Sequence, residues 1–278
     1  MLYGIKFVAS YLLGTDVAGR NLMVYPDDTF ITSYPRSGNT WVRFLIANLL
    51  HPDRPVTFAN IESLIPDATV VSSKTIKRVP RPRLIKSHEY FDPRYPRVIY
   101  LVRDPRDVAL SLYHARRKYR SIEDSYPLER FVSEHFLPGD LDLSWSEHVS
   151  SWLATRLHHP AFLLVRYEDL LQDAARELRR IALFLGVTAH DETLAQAVER
   201  STAQRLRDLE KVEHERWLGV RGTRADVPFI GEATAGRWKQ TLPESSVALI
   251  ESSWGRLMNT LGYETSTAPV ANTRVITG

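Results

Sequence analysis

Residues 32–41 read Thr-Ser-Tyr-Pro-Arg-Ser-Gly-Asn-Thr-Trp, and their types suit the capture of an anion. Phe30 and Ile31 form a short apolar run before them, and residues 42–50 an apolar helix-like run after them. Strand, tight loop and helix in that order aim backbone N–H groups at negative charge. Pro35 fixes its own φ, and Gly38 permits a turn or a close approach that a Cβ would block. Ser37, Asn39 and Thr40 put short polar side chains where the helix begins. Arg36 adds a permanent charge on a planar fork suited to phosphate or sulfate oxygens. The common nucleotide loop Gly-x-x-x-x-Gly-Lys-[Ser/Thr] is absent: there is one glycine, and the cation precedes it. A polar turn before a core helix is the competing reading.

Residues 98–111 again order strand, turn and helix. Arg103 leaves the C-terminal end of an expected parallel strand, where ligands bind in open α/β sheets. Ser111 lies two turns into the next helix, so the two converge on one phosphate if the strand end faces that helix. Taken alone, residues 103–107 read equally as a helix cap with local ion pairs, and Ser111 as a helix residue bonding back to a carbonyl. A third group stands at the end of a further strand: Lys86, Ser87 and then His88. A lone histidine is more often structural than catalytic.

Together the three segments resemble the sulfotransferases that use 3′-phosphoadenosine 5′-phosphosulfate (PAPS). The family loop reads Tyr-Pro-Lys-Ser-Gly-Thr-Thr-Trp, with Arg for Lys in many bacterial members; here it is Tyr34-Pro35-Arg36-Ser37-Gly38-Asn39-Thr40-Trp41. An Arg at a strand end and a Ser eight residues later hold the 3′-phosphate in that family, matching Arg103 and Ser111. The family stretch Arg-Leu-Ile-Lys-Thr-His matches residues 83–88. That match implies His88 as general base and Lys86 on the transferring sulfuryl group. Residues 165–170 resemble a Tyr-Glu-Asp segment, which gives Tyr167 a contact in the adenine region, and Trp41 matches the tryptophan that stacks on adenine. Ser201 and Leu206 fall where the family has further adenosine contacts.

The resemblance, over residues 29–262, implies a P-loop-like α/β fold with a mostly parallel sheet and helices on both faces. It also implies PAPS as co-substrate, 3′-phosphoadenosine 5′-phosphate (PAP) as product, no metal, and a small-molecule, lipid or carbohydrate acceptor attacked in line. Such a transfer needs a base for the acceptor proton, fixed donors for the equatorial oxygens, and a donor for the leaving phosphate. These roles go to His88, to Lys86 with the loop amides, and to Arg36. One segment departs from the family. An Arg-Lys-Gly usually precedes Gly-x-Trp-Lys and closes over the 3′-phosphate, but here residues 231–235 are Gly-Glu-Ala-Thr-Ala before Gly236-Arg237-Trp238-Lys239. Arg237, Arg224 or Arg221 then supplies the charge, or the clamp is looser. A nucleotide kinase and a non-catalytic nucleotide-binding module are the rival readings.

Hydrophobic periodicity supplies the elements that position these groups. It predicts strands over 30–32, 84–85, 97–102 and 162–165. Helices are expected over 40–50, 106–118, 143–157, 173–185, 191–200 and 245–261, with a short one near 61–65. Strands alternating with helices call for a parallel sheet covered on both faces. Between 74 and 86 the cations Lys74, Lys77, Arg78, Arg81, Arg83 and Lys86 have no acid among them, and read as an anion-attracting rim or as a solvated loop. His114, Arg116, Arg117, Lys118 and Arg120 around Tyr119 read as a solvated helix end at the cofactor or acceptor mouth rather than a nucleic-acid patch. Tyr90, Phe91, Tyr95, Tyr119, Trp145 and Trp217 either line an apolar acceptor pocket or belong to the core.

The chain has 278 residues, 44% of them hydrophobic and 25% charged, enough for one domain, expected over 1–264 with a flexible tail over 265–278. Net charge is +3, a mild excess that suits an anionic cofactor and does not call for nucleic acid. The absence of cysteine excludes disulfides and thiolate chemistry and is compatible with the expected cytoplasmic location. No apolar run reaches membrane-spanning length. Residues 1–13 are expected to form a short helix packed on the core.

Overall fold

Strands β1 (Thr29–Ser33), β2 (Leu84–Ser87), β3 (Arg97–Val102) and β4 (Phe162–Arg166) pair in parallel in the order β2-β1-β3-β4. The computed structural model describes residues 17–139 and 143–266; the helix expected over 1–13 lies outside them, as does the tail beyond Ser266. In register, Ile31 of β1 faces Lys86 on one side and Ile99 on the other. All five residues of β1 are buried, as a central parallel strand requires.

The period-2 alternation of side chains divides two cores between the faces. Phe30, Val98 and Tyr100 enter one core with Trp152 and Ile250, while Ile31, Ile99 and Leu101 enter the other with Val42 and Leu178. The first face is covered by α2 (Pro105–Lys118), α3 (Trp145–Arg156) and α8 (Glu244–Thr260). The second is covered by α1 (Asn39–Leu50), α4 (Tyr167–Gln172), α5 (Ala174–Leu185), α6 (Asp191–Arg200) and α7 (Ala203–Glu213). The expected α/β architecture with helices on both faces is what the chain adopts.

Strand order fixes where a ligand can sit. From β1 the chain moves to one side to form β2, then crosses back to form β3 on the other. The loops leaving the C-terminal ends of β1 and β3 therefore diverge and open a crevice. Residues 34–38 and Arg103 stand at its two lips. Local chemistry sets the helix starts. Asp104 caps α2 by accepting from Arg106 N at 2.9 Å, with Pro105 in the first turn. Ser144 and Glu147 form a capping box on α3.

Most expected bounds move by one or two residues. The helix expected over 173–185 begins one residue later because Asp173 is its cap, accepting from Arg176 N. The helix expected over 143–157 is confined to Trp145–Arg156 by its cap. Residues 167–172 and 203–213, for which no helix was expected, are helical. Among the described residues no helix is long and apolar enough to cross a membrane.

Candidate active site

The loop between β1 and α1 turns through two left-handed residues, Arg36 at φ 70° and Gly38 at φ 96°. Gly38 caps α1 with no side chain closing the first turn, so the leading N–H groups of α1 are left for a ligand. A Cβ on Gly38 would stand 2.5 Å from Tyr167 Cδ2. Glycine is required there both for the backbone angle and for the ring. Asn39 Nδ2 donates to Ile31 O at 3.0 Å and to Ser33 Oγ at 3.2 Å, tying the loop to β1. Ser37 is fully buried behind the loop; its Oγ, Asn39 Oδ1 and Trp41 Nε1 are buried with no hydrogen-bond partner.

Arg36 turns back across the crevice. Its Nε donates to Ser111 Oγ at 3.1 Å and Nη2 to Phe229 O at 2.9 Å, and its guanidinium lies 4.0 Å over the Phe229 ring. Burial, with Arg103 nearby and against the pull of Tyr119, lowers its pKa to about 10, so the group stays cationic at neutral pH. Arg103 stacks on Tyr167 at 4.3 Å and donates to Arg36 O at 3.3 Å and Thr234 O at 3.2 Å, while its Nε is buried without a partner. Trp41 meets Tyr167 edge-on at 5.8 Å. The loop, the end of β3 and α2 thus bring Arg36, Arg103 and Ser111 together, as the strand-end reading required.

His88 follows β2. Its Nδ1 lies 2.7 Å from Ser33 O. A carbonyl only accepts, so Nδ1 carries the proton and the Nε2 lone pair is left as a base. His148 of α3 donates from Nε2 to His88 O at 3.0 Å and accepts at Nδ1 from Tyr100 Oη at 2.9 Å. Burial first, then the Lys86 charge, lowers the His88 pKa to about 3, against an upward pull from Asp67. The imidazole is therefore neutral near pH 7. Lys86 does not reach freely into the crevice: its ammonium is ion-paired with Asp67. Burial alone would raise Asp67, but Lys86, Arg43 and His88 hold it well below the usual carboxylate range.

A single cavity of about 900 Å³ takes in these groups. It is lined by Arg36, Gly38, Asn39, Thr40, Trp41, Lys86, His88, Arg103, Ser111, Tyr167 and Arg237. Of the expected residues, Ser37 is behind the wall rather than in it. Ser201 is a core residue, accepting from Asn48 Nδ2 at 3.1 Å, whereas Leu206 does line the cavity. Arg237 is the one member of the proposed clamp trio on the wall; Arg224 instead pairs with Asp124 and Asp226.

The cation run over 74–86 is not a rim. Lys74, Lys77 and Arg78 are exposed, Arg83 is buried against Asp28 at 2.6 Å, and Lys86 alone of the run reaches the cavity. Among the aromatic candidates, Tyr119 and Trp217 line the cavity, while Tyr95 stacks on Phe30 and Trp145 packs on Trp254 in the core.

Sequence reasoning missed several groups. Asp67 and Arg43 line the cavity beside Lys86. Asp107 accepts from Gly236 N at 2.7 Å and Trp238 N at 3.1 Å, anchoring the segment whose Thr234 carbonyl meets Arg103. Glu210 accepts from Phe229 N at 2.7 Å and Ile230 N at 2.9 Å, and pairs with the fully buried Lys118 at 3.2 Å. No local pattern marks these residues, because their partners lie far away in sequence. The residues present fit a phosphorylated nucleotide. An uncapped helix start and Arg36 line one cavity with Asn39, Trp41 and Arg103, each of which has a buried polar atom without a partner, and Gly38 leaves room for the Tyr167 ring beside the loop.

A family model described as the sulfotransferase domain matches residues 26–262. The chain is 28% identical to mouse sulfotransferase 1B1 over 260 residues, 86% of this chain and 85% of the relative. It is 33% identical to human sulfotransferase 2B1 over 190 residues, 64% of this chain and 52% of the relative. Mouse sulfotransferase SULT7A1 complexed with PAP shares the fold at TM-score 0.70 and 21% identity, covering 89% of this chain and 91% of that one. Retinol dehydratase, in complex with androsterone and the inactive cofactor PAP, does so at TM-score 0.69 and 23% identity, covering 94% and 87%. The chain therefore belongs to the PAPS-dependent sulfotransferases, enzymes that move a sulfuryl group from PAPS to an acceptor and release PAP.

Proposed function

We propose that His88 is the general base of this transfer and that the acceptor is a small molecule bearing a hydroxyl on an apolar skeleton. The observation that carries the first part is the tautomer. Nδ1–H is committed to Ser33 O, so Nε2 is left free to take a proton, on a residue that lines the cavity. A neutral imidazole is the form a base needs. Burial sets its low pKa, and negative charge brought beside it would stabilise the imidazolium and raise that pKa.

PAPS, when bound, supplies the activated sulfuryl group. The loop amides with Gly38, Asn39 and Thr40 would hold its 5′ end, and Arg103 and Ser111, with Arg237, its 3′-phosphate. Trp41 and Tyr167 would flank the adenine. Arg36 would give a donor to the leaving phosphate oxygen, exchanging its present bond to Ser111 for that role. Lys86 would face the sulfuryl oxygens.

The acceptor class rests on the apolar part of the wall. Leu110, Leu112, Val70, Trp217, Val227 and Pro228 line the cavity. Such a surface favours a phenol, sterol or other apolar alcohol over a sugar, whose hydroxyls would lack partners. The related retinol dehydratase is solved with androsterone and with retinol, both in keeping with this reading.

Replacing His88 by Asn tests the base. Turnover of a screened phenol or sterol acceptor should fall by about 10²–10⁴-fold, the usual contribution of a positioned base, with PAP affinity nearly intact. A variant that retains its rate would move the base elsewhere.

A further inference from the structure

A buried ion pair that no sequence motif announces stands beside His88. Asp67 lies on an irregular segment that runs parallel to the edge of β2 and is bridged to Lys86. Lys86 N donates to Pro66 O at 2.8 Å and Ala68 N to Lys86 O at 2.9 Å, which fixes the two residues side by side. The Asp67 carboxylate accepts from Lys86 Nζ, from Thr69 N at 2.9 Å and from Thr69 Oγ1 at 2.6 Å. Its own N–H goes to Glu62 Oε2 at 2.7 Å, and Glu62 pairs with Arg43 of α1 at 3.0 Å. Asp67 is 4% and Lys86 8% exposed, and both line the same cavity as His88.

A lysine held this way adds little net charge to the cavity. We infer that Asp67 is a positioning residue for sulfuryl transfer: through its ion pair it sets where the Lys86 ammonium sits and offsets that charge at His88. The inference rests on the reading of His88 and Lys86 given above. The charged or titratable groups acting on His88 are Lys86 from β2, Asp67 from the bridged segment and His148 from α3. Of these, Asp67 favours the imidazolium, while Lys86 and His148 oppose it.

Removing the Asp67 charge leaves an unpaired ammonium in the cavity. Two consequences then oppose one another. A polyanionic nucleotide binds more tightly, and transfer of a proton to His88 becomes harder. A merely structural role for Asp67 would weaken both binding and turnover.

The test is Asp67→Asn, with the PAP dissociation constant measured by calorimetry on the cofactor-free protein and turnover measured with PAPS. PAP should bind roughly fivefold more tightly, as expected for one uncovered charge partly screened by solvent. Turnover should fall by roughly tenfold or more as His88 loses its counter-charge, and the acid limb of kcat should move to lower pH. In a Lys86→Met background, Asp67→Asn should change PAP affinity by less than about twofold. Weaker or unchanged PAP binding in Asp67→Asn overturns the inference, as does the full effect persisting without Lys86. If the single variant does not fold, the double variant carries the test, and a PAP affinity more than about threefold away from that of Lys86→Met overturns it. Failure of His88→Asn to stop turnover would instead overturn the base assignment and leave the PAP-binding result standing.

Discussion

Gly38→Ala is the most demanding perturbation of the anion loop. A methyl group at this position meets Tyr167 Cδ2 at 2.5 Å and Cε2 at 2.8 Å, and the backbone sits at φ 96°. The left-handed conformation costs a non-glycine residue about 1–2 kcal/mol. Relief of the contact must come from a ring that is 6% exposed and held between Trp41 and Arg103, and overpacking of this kind costs about 1–3 kcal/mol. The sum is roughly 2–5 kcal/mol, which for a domain of this size lowers Tm by roughly 5–15 °C. The ring that yields also stacks on Arg103, so PAP binding should weaken by about tenfold or more, equivalent to about 1.4 kcal/mol. Differential scanning fluorimetry and PAP calorimetry on the same preparations read both effects. A variant that melts within about 2 °C of the parent and binds PAP equally well would refute the close approach of loop and ring.

Two further outcomes follow from the surrounding contacts. Asp107→Asn keeps one acceptor for two N–H groups, so one of Gly236 N and Trp238 N is left unmet; the cost should be about 1–3 kcal/mol. KM for PAPS should rise with little change in kcat, and an unchanged KM would detach this segment from the 3′-phosphate site. His148 is 3% exposed, and burial lowers its pKa from 6.5 to about 4. The unfolded chain therefore binds the extra proton first, and this contribution to stability, intact above pH 6.5, is lost as pH falls towards 4, by about 3 kcal/mol at most. His148→Gln keeps a donor for His88 O and an acceptor for Tyr100 while removing the titration. Its acid unfolding curve should be flatter over that window, and a parallel curve would contradict the buried neutral imidazole.

What was legible in the sequence was contiguous. The loop over 34–41, Arg103 with Ser111, and Lys86 with His88 each lie on one strand end and the turn or helix that follows it, so local spacing and the family resemblance together point to the crevice. Asp67 was not legible, because it reaches Lys86 through a bridge between segments 19 residues apart, outside any regular strand. Helix α7 was missed because its apolar face is short: Leu206 and Leu209 pack on the core, but the next position inward is the charged Glu210, and Val212 is 83% exposed. Arg83 illustrates the opposite error. It is one charge of a basic run by composition, yet its partner Asp28 lies 55 residues earlier and the pair is part of the core.

Phe229 has two jobs on two sides. Its N–H is taken by Glu210 and its carbonyl by Arg36, while its ring lies edge-on to Trp217 at 4.8 Å and under the Arg36 guanidinium at 4.0 Å. An acceptor that shifts this ring alters the tether on Arg36, and linkage requires the nucleotide to alter acceptor affinity by the same factor. A substitution at Phe229 that loosens this tether is for that reason expected to shift acceptor and nucleotide affinity together.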